Sequence, residues 1–142
     1  ISNLIRQKLI VAIDGVIAPE TKDSKTFVLF LPDMELHELS LLMYNYALRK
    51  RGYPTIYLGQ ALPLDSLQRI LEITNPELII TLLTNSLNTI DIDEMIISIS
   101  QKFKGKILVS GYAIHHHTGS LPANLIEFKD LDDLLLKLEE HS

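Results

Sequence analysis

Five short, almost wholly apolar runs alternate with helical stretches along this chain, and no other feature limits its fold so tightly. The first run, Thr26-Phe27-Val28-Leu29-Phe30-Leu31, has no polar alternation, which marks a strand covered on both faces. Further strands are predicted at 55–58, 78–82, 106–110 and 125–127, with helices at 36–50, 64–73, 92–103 and 131–140. Lys50-Arg51-Gly52-Tyr53 reads as a helix stop, because glycine tolerates the left-handed turn there. Strands joined by helical crossovers pair in parallel and are covered on both faces. The pattern therefore predicts an α/β fold: a flavodoxin-like, Rossmann-like five-stranded parallel sheet in the order 2-1-3-4-5.

Residues 1–15 read as one helix, with Ser2 as a possible N-cap, Gly15 as its stop, and apolar positions 5, 9, 12 and 13 at helical spacing. The chain opens at Ile1, so this helix is expected to be left from an upstream helical bundle. Residues 16–24, polar and containing Pro19, read as a connector, and 25–142 as the α/β domain. A chain of 142 residues fits one compact domain, and 46% hydrophobic residues can fill its core.

Composition removes several functions. Without cysteine there is no disulfide scaffold, no thiolate metal site and no thiol nucleophile. A formal charge of −5, with no run of Lys or Arg, makes the segment a poor grip for phosphate backbones on its own. No apolar run approaches the roughly 20 residues of a membrane span, and no signal-peptide pattern opens the chain. The expectation is a soluble, cytoplasmic protein with no membrane contact.

Ligands of open parallel sheets bind outside the carboxyl ends of the strands, where the strand order reverses. Here that point lies between the first and third strands, so Pro32-Asp33-Met34-Glu35-Leu36-His37-Glu38 and Thr81-Leu82-Leu83-Thr84-Asn85 become the prime loops. The first contains no glycine, against a dinucleotide fingerprint, and three carboxylates, against a flavin phosphate. No Asp ends the third strand, against a phospho-receiver. What the first loop offers is Glu35 two residues before His37: an imidazole able to ligate a metal, with a carboxylate able to orient it. The same residues also fit a plain helix start, with Glu35 serving the helix dipole.

Glu35-Leu36-His37-Glu38-Leu39-Ser40, Thr81-Leu82-Leu83 and Ser110-Gly111 resemble, in order and placement, the D-x-H-x-x-G, S-x-L and G-G motifs of the cobalamin-binding domains of methionine synthase, mutases and MerR-type regulators. The stretch from His37 through Lys50-Arg51-Gly52-Tyr53, with Ile56-Tyr57-Leu58-Gly59-Gln60 and the opening Ser2-Asn3-Leu4-Ile5-Arg6-Gln7-Lys8, is most similar to the C-terminal part of MerR-family transcriptional regulators. The likeness covers nearly the whole chain. It implies adenosyl- or methylcobalamin as cofactor, with His37 as the lower ligand of cobalt and Glu35 orienting it. A nucleotide tail would then lie beside Ser40, Thr81, Leu83, Ser110 and Gly111. It also implies an effector-sensing, non-enzymatic domain that forms homo-oligomers and reaches DNA only through an upstream winged helix.

Four departures from the motifs stand out. Glu35 replaces Asp, Thr81 replaces Ser, and Ser40 and Ser110 replace glycines. Three of them add atoms to the tail slot, the basis for an alternative: a degenerate regulatory or oligomerisation domain that keeps the fold without the cofactor. A corrinoid carrier domain of a methyltransferase or mutase is the further alternative. His115-His116-His117 reads as a solvated loop without a fixed carboxylate partner. Asp130, Asp132 and Asp133 read as a cap and first-turn charges ahead of Leu134-Leu135-Leu136.

Overall fold

A computed structural model describes residues 2–14, 26–32, 38–62, 64–83, 89–117 and 119–141. In chain order these form α1 (Ser2–Asp14), β1 (Phe27–Pro32), α2 (Glu38–Lys50), β2 (Thr55–Leu62), α3 (Leu64–Thr74), β3 (Leu78–Leu82), α4 (Thr89–Lys102), β4 (Lys106–Ser110), α5 (Tyr112–His115), β5 (Leu125–Glu127) and α6 (Leu131–His141). The connector predicted at 16–24 lies outside the described residues. All strand pairs are parallel, and the sheet order is β2-β1-β3-β4-β5, as the apolar rhythm predicts.

Every residue of β1 is buried, so its alternate side chains feed two cores. On one face Val28 and Phe30 join Ile79, Ile107 and Val109 against Leu67 and Leu71 of α3 and Ile96 and Ile99 of α4. On the other, Phe27, Leu29 and Leu31 join Leu78, Ile80 and Leu108 against Leu41 and Leu48 of α2 and Leu134 and Leu138 of α6. Each such side chain contributes about 1.5–3 kcal/mol on leaving water. Burial on both faces explains why these strands carry no polar alternation.

The helix ends follow local chemistry. Gly52, at φ 89, closes α2: its N–H donates to the Arg49 carbonyl, and the Tyr53 N–H donates to that of Leu48, each at 3.0 Å. Asp130 caps α6 by accepting from the Asp133 N–H at 2.8 Å, while Asp133 accepts from the Lys129 N–H at 2.9 Å. Asn124 donates to the carbonyls of Ser100 and Phe103, satisfying the end of α4.

Three departures from the sequence reading exceed a single residue. β2 runs on to Leu62 past a register shift, where Phe30 pairs with Gly59 instead of Leu58 and Gly59 takes φ 81. α4 begins at Thr89 instead of Ile92. The segment after β4, read as loop, makes the short helix α5. Helix α1 packs on α2 and leaves Leu4, Ile5 and Val11 exposed.

Candidate functional site at the carboxyl edge

The strand order reverses between β1 and β3, and Thr81 sits at that seam. It is fully buried, and its hydroxyl donates to the Phe30 carbonyl, its register partner's oxygen, at 2.8 Å. A hydroxyl buried without a partner would be costly, so the contact explains how Thr81 is tolerated inside the sheet. Leu83, just beyond β3, is 2% exposed. Its N–H donates to the Ser110 carbonyl at 2.8 Å, and its own carbonyl accepts from the Ala113 N–H at 3.0 Å. These two bonds tie the ends of β3 and β4 to α5.

Ser110 ends β4 and is 3% exposed. Gly111 follows at φ 114, ψ 166, a conformation essentially reserved for glycine. The backbone therefore turns sharply from β4 into α5 with no side chain above the turn. Thr81, Leu83, Ser110 and Gly111 are thus brought together at adjacent strand ends, as sequence reasoning placed them. Ser40 is exposed in the first turn of α2, so it adds no buried atoms there. Glu35 and His37 fall within 33–37, outside the described residues.

Sequence reasoning missed two arrangements. Glu38, first residue of α2 and 6% exposed, pairs with Arg6 of α1 and accepts the Tyr57 hydroxyl of β2 at 2.9 Å. A buried carboxylate needs such partners. Burial first, then the hydrogen bond to Glu38 and its charge, push the Tyr57 phenol well above its ordinary range, so it stays a donor. The link joins α1, α2 and β2. A carboxylate in a helix's first turn looks the same in sequence whether it serves the dipole or a buried network, so no signal revealed it.

The second corrects the histidine reading. His115, in α5, has Nδ1 2.5 Å from a Glu127 carboxylate oxygen at the end of β5, and Nε2 3.4 Å from Ser110 Oγ. His117 meets Asp93 of α4 through Nε2 at 2.7 Å, and its buried Nδ1 has no hydrogen-bond partner among the described residues. The His116 ring stacks on Tyr112 with centroids 4.0 Å apart. Two of the three histidines therefore have the carboxylate partner that the sequence hid, because the pairing spans 12 and 24 residues. The available signal was Glu127 itself, a carboxylate at the carboxyl end of a strand in a parallel sheet. Among the described residues, no group of three His, Cys, Asp or Glu could hold a metal ion.

A hollow of about 650 Å³ lies at the opposite edge, where β3 and β4 begin at Leu78 and Lys106. Glu72 and Glu77 line it together with Lys102, Lys104 and Lys106, so charges of both signs meet there. Size alone does not make it the site, because the strand reversal and the buried hydroxyls are at the other end.

No protein-family model matches the chain, nor does any curated protein. Solved structures do resemble it in fold. A cobalamin-binding protein from Desulfitobacterium hafniense superposes with a TM-score of 0.65 at 13% identity, over 83% of this chain and 59% of that one. The methanol:cobalamin methyltransferase complex from Methanosarcina barkeri gives 0.70 at 15% identity, over 89% and 49%. The monomethylamine corrinoid protein of the same organism gives 0.67 at 11% identity, over 98% and 66%. The chain thus spans about half to two thirds of the length of these neighbours, and it shares their fold. No helix among the described residues is long and apolar enough to cross a membrane.

Proposed function

We propose that this chain is a cobalamin-binding domain whose ligand lies over the carboxyl ends of β1, β3 and β4. The observation that carries the reading is the pair of buried hydroxyl residues, Thr81 and Ser110, at neighbouring strand ends beside Gly111, whose conformation clears space for a close approach. The neighbours' fold supports it, since they are described as a cobalamin-binding protein, a methanol:cobalamin methyltransferase complex and a corrinoid protein. When bound, cobalamin supplies a cobalt centre carrying an exchangeable alkyl group. His37 would ligate the cobalt, with Glu35 orienting it, while Thr81, Leu83, Ser110 and Gly111 would line the tail slot. The donor set fits, with one exchange: Thr81 must give up its bond to the Phe30 carbonyl to donate to the ligand.

The role built on this binding is effector sensing in a MerR-like transcriptional regulator, supported by the sequence resemblance at 2–8, 37–53 and 56–60. In that role the chain is not an enzyme, copies associate, and an upstream winged helix meets DNA. A second reading, corrinoid carrier for a methyltransferase, is favoured by two of the structural neighbours being methyltransferase-complex or methylamine corrinoid proteins.

Gel filtration in the dark with methyl- or adenosylcobalamin, followed by the visible spectrum of the protein peak, tests the binding. Co-eluting corrinoid whose spectrum changes in His37→Ala is expected. A corrinoid-free peak overturns the reading, and a spectrum indifferent to His37→Ala removes His37 from the cobalt. Illuminating the adenosylcobalamin-loaded protein separates the two roles: a sensor changes its elution position, a carrier does not.

A further inference from the structure

The corner between β4 and β5 holds a hydroxyl, an imidazole and a carboxylate in series, of which the cobalamin motifs account for the hydroxyl of Ser110 alone. Ser110 ends β4, Glu127 ends β5, and His115 bridges them from α5. An ionised carboxylate only accepts, so the proton in the 2.5 Å contact with Glu127 belongs to Nδ1 of His115. In the neutral ring Nε2 is then an acceptor, and Ser110 Oγ donates to it at 3.4 Å. That distance lies at the outer limit of a hydrogen bond, so the nitrogen is only loosely satisfied. The ring is 31% exposed, whereas Ser110 is 3% exposed. A ligand can reach the imidazole without entering the sheet, and the buried hydroxyl is too enclosed for a nucleophile.

We infer that His115 is a ligand-contact residue of the carboxyl edge: its Nε2 accepts a hydrogen bond from a hydroxyl or amide N–H of the bound corrinoid, while Glu127 fixes the tautomer and orientation of the ring. The inference rests on the cobalamin reading above. Two parts of cobalamin carry such donors, the amide side chains on the macrocycle rim and the ribose hydroxyls of the nucleotide loop. Glu127 acts through His115 as a positioning residue, in the way a carboxylate orients an imidazole in metal and catalytic sites. The neighbouring His117–Asp93 pair serves as the control, because His117 is only 13% exposed and its carboxylate comes from α4 and not from a strand end.

Equilibrium dialysis of the chain against cobalamin and against cobinamide, which keeps the rim amides and lacks the nucleotide, tests this. Losing one hydrogen bond weakens binding about five- to tenfold. That loss is expected in His115→Ala and Glu127→Ala. It should be largely recovered in Glu127→Gln, whose carbonyl oxygen still accepts from Nδ1–H, and be absent in Asp93→Ala. A loss confined to cobalamin assigns a ribose hydroxyl as donor, and an equal loss with both assigns a rim amide. His115→Ala binding both corrinoids like the wild type overturns the inference and leaves the cobalamin reading standing. So does a loss in Asp93→Ala as large as in His115→Ala, which would make the effect one of loop order. A wild-type chain that binds neither corrinoid overturns the cobalamin reading and this inference with it.

Discussion

The seam between β1 and β3 and the corner between β4 and β5 lie on the same edge of one sheet, yet they satisfy their polar groups in opposite ways. At the seam, Thr81 and Phe30 are fully buried, and a side-chain hydroxyl is spent on a backbone carbonyl. At the corner, His115 and Glu127 are about one third exposed and satisfy each other, leaving an imidazole nitrogen loosely held. Groups committed to backbone inside a close-packed core move only if strands move. Side chains paired at the surface can trade partners at little cost, because water competes for both states. The difference ties any change of partner at the seam to movement of the strands, and leaves the imidazole at the corner free to change partners with the sheet at rest.

That contrast can be broken by substitution. Phe30→Ala should cost about 3–5 kcal/mol, the range for emptying an aromatic core position, read as a lower urea midpoint at unchanged slope. A loss below 1 kcal/mol would mean that the seam is not the packed region described. Gly111→Ala, forced into a glycine-only conformation, should cost about 1–3 kcal/mol in the same measurement. Thr81→Val keeps the shape but orphans one bond to the Phe30 carbonyl, so about 1 kcal/mol is expected. His115→Ala should change the stability of the ligand-free chain by less than about 0.5 kcal/mol, as for a surface position. A larger effect there would make the corner structural and blur the contrast.

The sheet was legible because burial on both faces leaves an unbroken apolar run, as in Phe27 to Leu31, and few other structures need one. β2 was shortened in the sequence reading because its second half, Gly59-Gln60-Ala61, follows a bulge and carries no apolar run. α5 escaped notice because four residues are too few to display a helical period. At the site, topology located Thr81 and Leu83, since it dictates which residues finish adjacent parallel strands, whereas Ser110 and Gly111 were marked only by their resemblance to the G-G motif. The Glu38 network and the two histidine–carboxylate pairs were hidden for a different reason. Each joins separate elements, 12 to 32 residues apart in the chain, and periodicity carries no information about such pairs.

The shift of register in β2 has a consequence for how copies of the chain meet. β2 and β5 are the two borders of the sheet, where unpaired backbone groups invite strand addition from a second molecule. β2 is kinked at Gly59, so its border does not present a straight ladder, and β5 offers only three residues. Both borders are therefore poor templates for edge-to-edge growth, and fibre-like stacking through the sheet is disfavoured. The largest apolar side chains that α1 leaves in water, Leu4, Ile5 and Val11, lie on a helix and not on either border.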